Sequence, residues 1–130
     1  MKKLLYPSAR FLFGLTMFVF GLNKLFLFIP VPEQDPSGAA LMAAIISSGY
    51  MIQTIAVVEI FCGLLILVKR WEVISCLLLV PITTNILLFH LFADQRNIVA
   101  GLLVFGLHVY LLYNHRQQYA CLLRKYSNAG

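Results

Sequence analysis

Hydrophobic residues along this chain fall into four long runs separated by short polar breaks, roughly 6–29, 50–68, 73–93 and 97–114. A helix rises ~1.5 Å per residue, so about 20 residues cross the ~30 Å hydrocarbon core of a bilayer. The pattern predicts an all-α protein, a bundle of four transmembrane helices. Within the first run Arg10, Gly14, Met17, Gly21 and Lys24 share one helical face. The fourth run repeats that spacing with Gly101, Phe105, His108, Leu112 and His115, and the second carries Gln53, Ala56, Glu59 (beside Ile60) and Gly63. Small residues let helix backbones approach closely. These three stripes are expected to face the bundle, and the Leu, Ile, Val and Phe positions between them to face lipid.

The breaks refine the topology. Pro7 suits the first turn of a helix, where no amide donor is needed, and Pro30 and Pro32 are expected to end the first span. The connection from Pro30 to Gly49 is the longest. Inside it Ser37–Ser47 is apolar, uncharged and too short to span. Two readings stand: an interfacial or re-entrant helix over the outer end of the bundle, N-capped by Ser37, or an outward extension of the second span. The turns at 69–72 and 94–97 are short, which makes the second, third and fourth spans antiparallel neighbours. Pro81 lacks an amide donor and frees the Leu77 carbonyl, so a kink is expected in the third span. Residues 1–116 form the transmembrane domain. Residues 117–130 form a basic tail with Tyr119, Leu122 and Leu123, either lying on the inner surface or disordered.

Composition changes the picture little: 61% of residues are hydrophobic, 12% are charged and the mean hydropathy is +0.86. Charge placement says more. The net charge of +5 suggests nucleic-acid binding only until the residues are located. Lys2, Lys3, Arg10, Lys69, Arg70, Arg116, Arg124 and Lys125, eight of the ten basic residues, fall on one side of a four-span bundle. Lys24 and Arg96 lie on the other, with Glu33, Asp35 and Asp94. Lys and Arg favour the cytoplasmic side, so both termini are expected there, with the basic clusters near anionic headgroups. Trp71 suits the membrane–water boundary. No cleavable signal is evident, so Met1 is expected to be the mature start and the first span a signal-anchor.

The candidate chemistry is intramembrane. Glu59 is expected about 13 Å from the outer surface, Asn85 at similar depth, and Lys24 and His90 at roughly 6 Å. A charge at such depth is costly unless paired or wet. Lys24, Gln53, Glu59, Asn85 and His90 therefore form the candidate ligand-binding cluster, although Asn85 and His90 are about 140° apart on one helix. Glu59 is either a proton-exchanging carboxylate or the partner of Lys24 in a packing ion pair. His90 is either a ligand or proton-relay group or an interfacial histidine. Asn85 either bridges helices or touches a ligand. His108 is expected to bridge helices, and Arg10 to snorkel to the inner headgroups. Cys62, Cys76 and Cys121 contain no CxxC pair, and Cys62 and Cys76 are expected to be packing residues. The histidines lack metal-ligand spacing, so no metal site is expected. No phosphate loop, serine elbow or nucleic-acid motif is present.

Several segments together resemble the DoxX-like family of small four-helix membrane proteins. They are ARFLFGLTMFVFGLNKL (9–25), the proline-rich loop, SGYMIQTIAVVEIFCGLLIL (48–67) and PITTNILLFHLF (81–92). The resemblance covers about residues 10–116. It implies a four-helix bundle with both termini inside, in a bacterial inner membrane, and places Arg10, Lys24, Glu59, Asn85 and His90 at the family's recurring polar positions. Its functions are diverse: subunits of thiosulfate:quinone oxidoreductases, helpers of redox-enzyme maturation and receptor-assembly chaperones. The resulting expectation is an accessory or quinone-linked subunit of a membrane redox system, with quinone as the candidate cofactor. The alternative is a non-enzymatic assembly factor or scaffold for another membrane protein, self-associating or not. A third reading, a transporter of a small solute or proton, is disfavoured by the strong charge bias and by the place of Glu59 in the second span.

Overall fold

The computed structural model describes residues 2–129. Its regular structure is entirely helical: α1 (Lys2–Phe26), α2 (Pro36–Ser47), α3 (Met51–Leu67), α4 (Glu72–Leu78), α5 (Val80–Phe92), a 3-10 turn (Gln95–Asn97), α6 (Ile98–Asn114) and α7 (Arg116–Asn128). Two segments are long and apolar enough to cross a membrane alone, Lys3–Phe26 and Gln95–Asn114. The count rises to four if each of two bent pairs is one span: α2 with α3, bent by 91°, and α4 with α5, bent by 40°.

α3 and α6 coincide closely with the second and fourth hydrophobic runs. The first helix is displaced: it starts at Lys2 and ends at Phe26 rather than running 6–29. Pro7 consequently lies inside the helix, a turn beyond the position expected for it. The chain leaves α1 at Leu27, whose φ of 51° is left-handed, three residues before Pro30. Asn23 secures this exit by binding both sides of Ile29: its Oδ1 accepts the Ile29 amide at 2.7 Å and its Nδ2 donates to the Ile29 carbonyl at 3.2 Å.

The third run is two helices meeting at Leu79, with Pro81 in the first turn of the second. A proline there has no N–H to give and crowds the carbonyl four residues back, so the axis breaks. Ser37–Ser47 lies in a helix of its own, at a right angle to α3 rather than along it. Its N-cap is Asp35, with Pro36 next, so Ser37 is not the cap; the Ser37 hydroxyl donates instead to the Ala93 carbonyl at 2.7 Å. The basic tail is helical from Arg116 to Asn128.

The core centres on Phe13, Met17, Cys62, Ile66, Cys76, Leu79 and Leu111. Cys62 and Cys76 are buried, free thiols within it. The closest packing is between α1 and α3. A Cβ on Gly63 would lie 2.7 Å from the Phe18 amide nitrogen and 2.8 Å from the Gly14 carbonyl. A Cβ on Gly21 would lie 2.8 Å from the Ile60 side chain. The partners descend α3 as they ascend α1, so the two helices run in opposite directions. Arg10 is buried at the end of this seam. Its Nη1 donates to the Ile66 carbonyl at 2.7 Å, capping α3 rather than snorkelling to headgroups.

Gly63→Ala forces backbone against backbone and is expected to cost about 1–3 kcal/mol, as overpacking typically does. Gly106→Ala, which meets nothing within 4 Å, is expected to leave stability unchanged or slightly raised. Unfolding in detergent, monitored by circular dichroism, checks both.

Candidate functional site

The seam between α1 and α3 positions the pair at the centre of the candidate site. The offset of three residues from Gly21 brings Lys24 over the α3 turn that contains Glu59. Lys24 Nζ donates to Glu59 Oε2 at 2.6 Å. The Glu59 side chain has no exposed surface, whereas Lys24 keeps 26% of its own exposed. Glu59 Oε1 is buried with no hydrogen-bond partner among the described residues. A carboxylate can accept about four hydrogen bonds, so half of this group is an unused acceptor inside the bundle.

The rest of the expected cluster does not gather around that pair. Gln53 is exposed, not bundle-facing. Asn85 is also exposed, and its amide donates at 2.9 Å to the Pro81 carbonyl of its own helix. His90 is half-buried and packs on Gly101, where a Cβ would lie 2.7 Å from the ring. Its Nδ1 is 3.6 Å from Asp94 Oδ2. The angle of about 140° between positions 85 and 90 thus separates them: one residue turns outward and the other packs on α6. His108 bridges helices as expected. It is buried, with Nδ1 2.6 Å from Thr83 Oγ1, Nε2 2.8 Å from the Cys76 carbonyl and its ring stacked on Phe13 at 4.9 Å.

Two polar clusters were missed in the sequence. The first is a collar centred on Asp94. Asp94 accepts the Asp35 amide at 2.9 Å and the Asn97 side chain at 2.8 Å. Asp35 in turn accepts the Arg96 amide at 3.1 Å, and the Asn97 side chain also donates to the Glu33 carbonyl at 3.0 Å. The collar ties the loop after α1 to the turn before α6. Both segments are acidic or amide-rich at the same expected level, which was the available signal. Burial alone would push the Asp94 carboxyl up. Hydrogen bonds from Asn97 and the Asp35 backbone, with the charges of His90 and Arg96, outweigh that and hold it below the usual aspartate value.

The second cluster joins Tyr6, Glu72 and His115 at the opposite end. The Tyr6 hydroxyl donates to Glu72 Oε1 and lies 2.8 Å from His115 Nε2, which is itself 3.1 Å from Glu72 Oε1. Next to it, burial pushes the Tyr119 phenol up to about 12, so it remains a neutral donor to the Val73 carbonyl at 2.9 Å.

Comparison with protein-family models, curated proteins and solved structures finds no match to this chain.

Lys24→Met leaves a buried charge without its partner and is expected to destabilise the fold by roughly 2–4 kcal/mol, less than for a fully buried pair because Lys24 is partly wet. Lys24→Met/Glu59→Leu is expected to recover most of that loss, read by denaturant titration in micelles. The collar titrates in the opposite range from a histidine switch. A depressed carboxyl stabilises above its ordinary value, about 4, and loses the effect as pH falls through its folded value. The melting-temperature gap between wild type and Asp94→Asn is therefore expected to be full at pH 6 and to close below about pH 4.

Proposed function

We propose that this chain is a four-span membrane protein of the DoxX-like type, with both termini cytoplasmic in a bacterial inner membrane. Its role is an accessory or quinone-linked subunit of a membrane redox system. α3 and the bent pair α4–α5 are then the second and third spans, with α2 lying across the end of α3, and an antiparallel bundle follows from the short turns between them. The basic residues gathered at one end support this orientation.

The observation that carries the functional reading is the half-used carboxylate of Glu59. One oxygen is held by Lys24 and the other has no partner among the described residues. Intramembrane ionisable groups are expensive and are retained where they serve a ligand or a proton. A quinone headgroup suits this pair: Lys24 Nζ can donate to a carbonyl oxygen, and Glu59 Oε1 can accept from a hydroxyl. An apolar quinone reaches the pair from the bilayer, past the partly exposed Lys24. When bound, it would supply the electron-carrying chemistry that none of these side chains has. The candidate site narrows to Lys24 and Glu59, with His90 and Asp94 toward the outer surface.

A second reading, a scaffold or assembly factor, is favoured by Gln53 and Asn85. Both amides lie on exposed faces of segments assigned to the membrane. A side-chain amide facing lipid gains by pairing across a helix–helix contact, typically by about 0.6 kcal/mol.

Purified protein reconstituted with a short-chain quinone is expected to bind it, with Glu59→Gln weakening binding at least tenfold and Asn85→Ala leaving it unchanged. Equal binding by wild type and Glu59→Gln removes the site. A stoichiometric membrane-protein partner, recovered in mild detergent and lost in Gln53→Leu/Asn85→Leu, favours the scaffold instead.

A further inference from the structure

α7 is an amphipathic helix whose apolar face meets the bundle at Tyr119 and is exposed beyond it. Tyr119, Leu122, Leu123 and Tyr126 fall at i, i+3, i+4 and i+7, one side of the helix. Tyr119 is half-buried against the bundle through its bond to Val73. Farther along the same side, Leu122, Leu123 and Tyr126 are 54%, 71% and 85% exposed. Arg116 and Lys125 border that face, and Arg124 stands behind it.

The root of α7 fixes its level. His115 joins α6 to α7, and its ring is held by Tyr6 and Glu72. Val73, the Tyr119 acceptor, follows directly on the Lys69-Arg70-Trp71 turn. Lys69, Arg70, Trp71 and Lys3 are all exposed. The one acidic residue at this end, Glu72, is taken up by Tyr6 and His115. This end therefore presents cations without free anions, beside a tryptophan of the kind that settles at headgroup depth. We infer that α7 lies along the inner membrane surface, with Leu122, Leu123 and Tyr126 in the acyl boundary and Arg116, Arg124 and Lys125 on anionic phospholipid headgroups. Thirteen residues give a strut about 20 Å long beside the bundle. The inference rests on the membrane-spanning assignment but is independent of the quinone reading.

The test places spin labels on the full-length chain in nanodiscs, in a Cys121→Ser background, at Leu123→Cys, Gln117→Cys and, as a span control, Val57→Cys. Nanodiscs are either phosphatidylcholine alone or mixed with phosphatidylglycerol. In the anionic discs the label at 123 is expected to be oxygen-accessible and the label at 117 water-accessible. Electrostatic attraction to anionic lipid falls about fivefold per basic residue removed. The docked-to-free ratio is therefore expected to drop by that factor in Arg124→Gln, by about twenty-five-fold in Arg124→Gln/Lys125→Gln, and by about a hundredfold in neutral discs, where all three cations lose their anionic partners. A label at 123 that is water-accessible in both discs, while 57 stays oxygen-accessible, overturns the inference and leaves the spans intact. Spin–spin broadening at 123 that grows with protein per disc overturns it in favour of pairing between two copies. Water access at 57 as well removes the membrane-spanning assignment itself.

Discussion

A carboxylate without exposed surface is costly unless it is paired or protonated, and in this chain the partner crosses from α1 to α3. The Lys24–Glu59 contact is available only because the two backbones run close enough for Gly14, Gly21 and Gly63 to face neighbouring main-chain atoms. The seam and the ion pair are thus one constraint. Narrow spacing delivers the ammonium to the carboxylate, and the pair fixes the register of the seam. At the other end of the contact Arg10 occupies the terminal carbonyls of α3. The helix pair is held by charge at both ends and by close packing between.

The remaining helices are organised around that pair through polar contacts of a different kind. His108 reaches Thr83 and the Cys76 carbonyl while stacking on Phe13, so one buried ring connects α1, α4, α5 and α6. Hydrogen bonds of this sort have no water to compete with in an apolar interior, which makes leaving them unmade costly. The Asp94 collar closes one end of the bundle and the Tyr6–Glu72–His115 cluster the other. Between them the functional reading concentrates on Glu59 Oε1. It is the carboxylate oxygen among the three buried side-chain atoms left without a partner among the described residues, the others being Ser75 Oγ and His115 Nδ1.

Much of this was legible in the sequence because hydrophobic period reports helical faces directly. α3 and α6 coincide with their runs to within a residue or so at each end, and the Arg10–Gly14–Gly21–Lys24 stripe packs as its spacing requires. Two depths and one long side chain put Glu59 within reach of Lys24 without settling that the two would pair. What period does not carry is the direction from which a neighbour arrives. Gln53 shares a stripe with Ala56 and Gly63 yet lies beyond the reach of α1 and stays exposed. Asn85 satisfies itself on Pro81 of its own helix, a local choice that competes with any shared site. The collar and the Tyr6–Glu72–His115 cluster join residues 43 to 109 positions apart. Such meetings are set by three-dimensional closure, and a linear pattern contains only their matching depths.

The central claim is that Glu59 is a paired, dehydrated carboxylate inside a lipid-embedded bundle. Solid-state NMR of protein labelled with nitrogen-15 at Lys Nζ and carbon-13 at Glu Cδ, in lipid bilayers, tests it most directly. The account predicts one strong nitrogen–carbon coupling, a separation under about 4 Å as in an ion pair, abolished by Glu59→Gln and protected from exchange with bulk water. A Glu59 carboxylate with no coupling to Lys24 and rapid contact with water would contradict it.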